Sequence, residues 1–141
     1  MFRGTATALI TPFTQDGIDY EGVEKLTEYQ IDGGIDALLY LGTTGEPPTI
    51  TDSEREELMR FAVKTVRGRV PVIIGAGSNG TAAMVESCKR AERAGADALL
   101  IVTPYYNKCT QEGVIKHYEA AVSCTGLPII AYNVPGRTGV N

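Results

Sequence analysis

Apolar, β-branched runs of strand length alternate along this chain with stretches of helical periodicity, and that alternation leaves few folds open. The runs are Thr5 to Thr11, Ala37 to Leu41, Val70 to Gly75, Ala98 to Thr103 and Pro128 to Asn133. In the first gap, Val23, Leu26, Tyr29, Gln30 and Ile31 recur at three-to-four spacing until Gly33-Gly34 stops the pattern. Thr51-Asp52-Ser53-Glu54 reads as a capping box that opens a second helix, whose apolar face is Leu58, Phe61, Ala62 and Val66. A third helix is predicted from about Thr81 to Ala94, closed by Gly95. A fourth begins near Gln111 and carries Val114, Ile115, Tyr118, Ala121 and Val122 on one face. Each strand-plus-helix unit is about thirty residues, the length of a right-handed βαβ crossover, so a parallel sheet covered by helices follows. The segment Gly34-Ile35-Asp36-Ala37-Leu38-Leu39 is echoed two units later by Gly95-Ala96-Asp97-Ala98-Leu99-Leu100. With 141 residues, 43% of them hydrophobic, the chain can bury one core and has little room for two domains, so one domain is expected.

Polar clusters sit where four of these strands end. They are Gly42-Thr43-Thr44-Gly45-Glu46, Gly75-Ala76-Gly77-Ser78-Asn79, Thr103-Pro104-Tyr105-Tyr106-Asn107 and Tyr132-Asn133-Val134-Pro135-Gly136-Arg137-Thr138-Gly139. Hydroxyls, phenols and glycines at the exits of successive buried strands build one site from several strand ends, as α/β barrels do. Two hydroxyls and the flanking amides of the first cluster suit a carboxylate. A threonine hydroxyl between phenols can pass a proton either way without carrying charge, which is what addition to a carbonyl requires. For a single strand-end tyrosine, an ordinary hydrogen-bonded position at the edge of the core is the competing reading.

Other chemistries find less support. Gly75-Ala76-Gly77-Ser78-Asn79-Gly80 matches the dinucleotide pattern G-x-G-x-x-G, yet it follows the third strand instead of the first, and the next strand ends in Val102-Thr103 where an acid is needed. Its glycines are expected to serve a tight strand-to-helix turn. The net charge of −4 comes without a basic stripe, which argues against nucleic acid. No apolar run reaches membrane-spanning length and no small-residue cleavage site follows Met1-Phe2-Arg3-Gly4, so a cytoplasmic protein with no membrane partner is expected. Cys88, Cys109 and Cys124 lack C-x-x-C spacing and are expected as free thiols, the first and last as filler. A nucleophile made of Cys109 and His117 is the outside alternative to a plain loop cysteine, and His117 is expected to face solvent. Neither metal nor cofactor is implied.

The clusters around Thr43, Tyr106 and Tyr132, with Val102 and Lys108 flanking the second, resemble the motifs of the dihydrodipicolinate synthases (4-hydroxy-tetrahydrodipicolinate synthases) of the pyruvate-dependent class I aldolase family. The resemblance runs through essentially the whole chain, in order. It implies a (β/α)8 TIM barrel in which residues 1–141 form the N-terminal part of a single, incomplete domain, roughly the first five strands and four helices. It implies a lyase that condenses pyruvate, held as a lysine Schiff base, with aspartate semialdehyde in lysine and diaminopimelate biosynthesis. By motif position Thr43, Tyr106 and Tyr132 form the proton relay, with Tyr106 reaching in from a neighbouring subunit of a homo-oligomer, a dimer or tetramer. Thr44 holds the pyruvate carboxylate, and Arg137 binds the carboxylate of the aldehyde substrate through its guanidinium fork. The Thr-Thr pair and Arg137 favour this member over other pyruvate aldolases or lyases of the family.

Departures from the pattern carry equal weight. The family's imine-forming lysine lies on the strand after the last one here, and none of Lys25, Lys64, Lys89, Lys108 or Lys116 matches it. A barrel of this kind needs eight strands and about 250 residues. Five strands leave open edges and one apolar face, so a C-terminal barrel fragment is an expected partner. At the positions where lysine-inhibited members carry polar groups stand Pro47, Pro48, Asp52 and Ala83. Asn79 and Tyr105 remain as regulatory matches, and weak or absent lysine feedback is expected. Cys109 replaces a proline. A second hypothesis is a catalytically silent half-barrel acting as an assembly partner, and a third is a nucleotide-binding open sheet.

Overall fold

The computed structural model describes residues 3–141. Its centre is a parallel sheet of β1 (Ala6–Ala8), β4 (Ala37–Tyr40), β5 (Val72–Gly75), β6 (Ala98–Val102) and β7 (Ile129–Tyr132). Each of these strands is shorter than its apolar run at one end or both. A small antiparallel hairpin, β2 (Phe13–Thr14) and β3 (Gly17–Ile18), lies between β1 and the first helix. The polar stretch Thr14 to Asp19 gave no alternation from which to read it.

Four long helices follow the strands: α1 (Tyr20–Asp32), α2 (Asp52–Val66), α3 (Thr81–Ala94) and α4 (Gln111–Cys124). A single turn, α5 (Pro135–Thr138), follows β7. The capping box of α2 is formed in both directions: Glu54 N–H donates to Thr51 Oγ1 at 3.3 Å, and Thr51 N–H donates to Glu54 Oε2 at 2.9 Å. Gly33 and Gly95 close α1 and α3, Gly95 in the left-handed region at φ +90° that glycine tolerates at no steric cost. The echoed acid of the two similar segments has one shared task. Asp36 accepts from Thr5 N–H at 2.7 Å and Asp97 accepts from Val72 N–H at 2.8 Å, so each carboxylate pins the start of the neighbouring strand.

Strand order is β1-β4-β5-β6-β7, strictly sequential, with every pairing parallel. Successive helices pack on one another, α1 on α2, α2 on α3 and α3 on α4. Leu38, Tyr40, Val72, Ile74, Leu99 and Ile101 point into the core shared with the helices. The alternate residues Ala37, Leu39, Ile73, Ala98 and Leu100 form a second cluster made of strand side chains alone. A parallel sheet wound in one direction, with helices on one face and a side-chain layer on the other, is the beginning of a (β/α)8 barrel. A doubly wound sheet would reverse its strand order at a switch point, and none occurs among the described strands.

Three sequence expectations need correction. Tyr29 is 73% exposed, and Thr27 takes the buried place on α1; its hydroxyl bonds Val23 O and Tyr40 Oη at 2.8 and 2.7 Å, so a polar residue fills an apolar position. Ile115 and Val122 are exposed, because no helix among the described residues packs on that flank of α4. His117, expected in solvent, is 2% exposed and faces α3, where its Nδ1 lies 3.0 Å from Thr81 Oγ1. Burial lowers its pKa from the ordinary histidine value. With one ring nitrogen engaged by Thr81 and the other enclosed, His117 is not presented to Cys109 as a base. The expected free thiols are found, Cys88 buried and Cys124 partly so. No helix among the described residues is long and apolar enough to cross a membrane.

Candidate active site

The strand exits enclose a cavity of about 450 Å³ at the C-terminal rim of the sheet. Thr43, Tyr105, Tyr106 and Arg137 line it together, one cluster from each of three strand ends, over an apolar floor that includes Leu100 and Val102. Fixing them begins with backbone geometry. Leu41, just past β4, adopts φ +57°, which turns the chain into Gly42 and a 3₁₀ turn over Thr43–Gly45. Thr11, beyond β1, donates its hydroxyl to Gly45 O at 2.8 Å and holds that turn against the sheet.

Gly75 and Gly77 are there for contact rather than for dihedral freedom. A Cβ on Gly75 would stand 2.0 Å from Leu41 O, and one on Gly77 would stand 2.7 Å from Val102 N. Neither has a positive φ. The backbones of three strand exits therefore touch, which narrows the rim around the cavity. The same contacts account for two glycines of the G-x-G-x-x-G match without any nucleotide.

Tyr132 does not line the cavity, although it pairs in register with Val102, which does. Directly paired residues of neighbouring strands project on the same face, so the half-buried Tyr132 belongs to the cavity side of the sheet. Thr44 is exposed beside Thr43, outside the lining. Arg137 sits on α5, a turn braced by Thr138 Oγ1, which accepts from Val140 N–H at 3.2 Å and whose single O–H lies within reach of Val140 O and Val134 O, at 3.1 and 3.3 Å. Tyr106 is 85% exposed at φ +71°, a region a tyrosine rarely occupies. Asn79 lines neither this cavity nor the next, but donates from Nδ2 to Asn107 Oδ1 at 3.2 Å.

A second cavity, of about 590 Å³, opens between the rim and helices α2 and α3. Pro47, Pro48, Asp52, Ala83 and Tyr105 share it, so the positions singled out for regulation come together there, Asn79 excepted. Arg55 is engaged with Pro47 O at 2.6 Å, and Arg90 with Asp52 at 3.2 Å. None of the five lysines lines either cavity, and Lys25, Lys89 and Lys116 pair with acids on their own helices. Reading the sequence missed Thr11, Leu41 and the contact role of Gly75. A hydroxyl at the end of the first strand run was the only available sign of Thr11.

A family described as dihydrodipicolinate synthetase matches the chain over residues 1–141. The chain belongs to the dihydrodipicolinate synthetase family. The 4-hydroxy-tetrahydrodipicolinate synthase of Thermotoga neapolitana is 55% identical over the whole chain, which covers 48% of that protein. The dihydrodipicolinate synthase of Aquifex aeolicus superposes at TM-score 0.97 with 46% identity, covering 99% of this chain and 48% of that one. The chloride-inhibited enzyme of Acinetobacter baumannii, solved in complex with pyruvate, superposes at 0.97 with 43% identity over 100% of this chain and 49% of its own. The chain thus spans about half the length of the dihydrodipicolinate synthetase relatives it matches, and its sheet is the N-terminal part of their barrel.

Proposed function

We propose that this chain supplies the N-terminal part of a 4-hydroxy-tetrahydrodipicolinate synthase, a lyase of the class I aldolase type. It carries the proton-relay and carboxylate-binding groups for condensing pyruvate with aspartate semialdehyde, but no imine-forming lysine. The observation that carries the reading is the rim cavity, where a threonine hydroxyl, two phenols and a guanidinium converge from the ends of β4, β6 and β7. In the completed barrel a keto acid has its carboxylate met by Thr44 and its carbonyl proton traffic handled by Thr43, Tyr106 and Tyr132. Neutral hydroxyls suit this task because they shuttle protons without presenting a charge to the carbonyl. Arg137 offers two parallel N–H groups to the carboxylate of the aldehyde substrate. In this reading the relay's Tyr106 is supplied by a neighbouring copy in a cytoplasmic homo-oligomer, which the 85% exposure of this side chain allows.

The lysine is then supplied by a complementary C-terminal half. Mixing the chain with the C-terminal half of the Thermotoga neapolitana relative is expected to restore pyruvate-dependent condensation. Tyr132→Phe in that mixture lowers kcat by about 10²-fold, as loss of a positioned proton donor does. Turnover unaffected by Tyr132→Phe contradicts the relay. A second reading is a silent half-barrel that acts in assembly. It predicts a stable complex with the C-terminal half and no turnover.

A further inference from the structure

Tyr106 and Lys108 both hold left-handed backbone, at φ +71° and +50°, within one exposed turn. Each costs of order 1 kcal/mol for a residue other than glycine and persists only where surroundings hold it. Inside the turn, Asn107 N–H donates to Tyr105 O at 2.9 Å. On one side, the aliphatic stem of Lys108 lies against Gly139, where a Cβ would meet Lys108 Cγ and Cε at 3.4 Å. On the other side, Asn79, from the loop between β5 and α3, donates from Nδ2 to Asn107 Oδ1 at 3.2 Å. Neighbouring strand-exit loops therefore clasp the turn from both flanks.

We propose that Asn79 is a positioning residue for the reaction: through Asn107 it holds the strained turn that aims Tyr106. This inference rests on the reading of Tyr106 as a relay phenol. It gives Asn79 a task in orienting a distant phenol, independent of any ligand in the second cavity. Asn79 itself touches no reacting group; its effect is transmitted by one amide-to-amide bond.

Chymotrypsin cutting after Tyr106 in the 141-residue chain, located by intact mass, reads how often the turn opens. Asn79→Ala and Asn107→Ala are each expected to speed that cut about fivefold, the population change one net hydrogen bond supports. Because both act through the same bond, the double variant cuts no faster than either single one. Asn79→Asp retains the parent rate, since the Asn107 amide can turn to donate. Cutting unchanged by Asn79→Ala, additive effects, or an Asn79→Asp rate equal to that of Asn79→Ala overturns the clasp. In the enzyme completed with a C-terminal half, Asn79→Ala lowers kcat and leaves the KM for pyruvate unchanged. Tyr106→Phe without loss of turnover overturns the relay role beneath the proposal, whatever the cutting rates, so the two failures are told apart.

Discussion

At the scale of single residues, glycines and one histidine carry the sharpest expectations. A methyl on Gly75 would stand 2.0 Å from Leu41 O, and backbone cannot yield as a flexible side chain can. Gly75→Ala is therefore expected to destabilise the chain by about 3 kcal/mol, the upper part of the overpacking range. Urea unfolding reads it, and a loss under about 0.5 kcal/mol contradicts the contact, being no more than a neutral surface change. His117 is buried and its pKa lies below the ordinary value of about 6.5. The unfolded chain then binds a proton that the folded chain resists, so the stabilisation is present above pH 6.5 and lost as pH falls toward the folded value. His117→Gln should flatten the decline of the urea midpoint between neutral and mildly acid pH, and an undiminished slope contradicts it. The sequence showed which residue types stand at the strand exits. It could not show that His117 turns inward, because Ile115 and Val122 gave an apolar stripe on the other flank of the same helix.

At the scale of elements, caps and clips were legible wherever a local rule determines them. Thr51 and Glu54 form the box their spacing announces, and Gly33 and Gly95 stop their helices. Thr51→Ala is expected to cost about 1 kcal/mol, read in thermal or urea unfolding. The repeated acid was legible as a repeat but not as a mechanism, since its partner is a backbone N–H 25 or 31 residues away. Asp97→Ala leaves Val72 N–H without its acceptor at the start of a buried strand and should cost about 2 kcal/mol, against about 1 kcal/mol for Asp36→Ala at the exposed first strand. Equal losses would show that burial of the clip does not matter. The apolar runs reach past the assigned strands because their flanking residues still bond the neighbouring strand, Leu9 N–H donating to Leu39 O at 2.9 Å and Thr103 N–H to Tyr132 O at 3.2 Å, without extending the ladder. The hairpin Phe13–Ile18 escaped notice because its strands are too short to alternate.

At the scale of the whole molecule, sequential strands and one-sided helices make an arc in which α4 and β7 each have an open flank among the described residues. Alternation of the runs was enough to predict a parallel sheet. The single direction of winding, which separates a barrel from a doubly wound sheet, became visible only in the register. Convergence of Thr43, Tyr105, Tyr106 and Arg137 follows from that winding, since it brings successive strand exits to the same rim. Thr44 and Tyr132 lie beside the lining rather than in it. With Pro47, Pro48, Asp52 and Ala83 around the second cavity, and both arginines there already engaged, a completed enzyme is expected to keep its activity when lysine is titrated. Strong inhibition by lysine would contradict that.

The proposed function divides the chemistry between hydroxyls and a guanidinium within residues 1–141 and an imine-forming amine outside them. Borohydride reduction in the presence of pyruvate tests it most directly, with intact-mass analysis of the chain alone and of its mixture with a C-terminal half. No covalent adduct is expected on the 141 residues in either sample, and a reduced pyruvyl adduct is expected on the added half. An adduct on Lys25, Lys64, Lys89, Lys108 or Lys116 would contradict it.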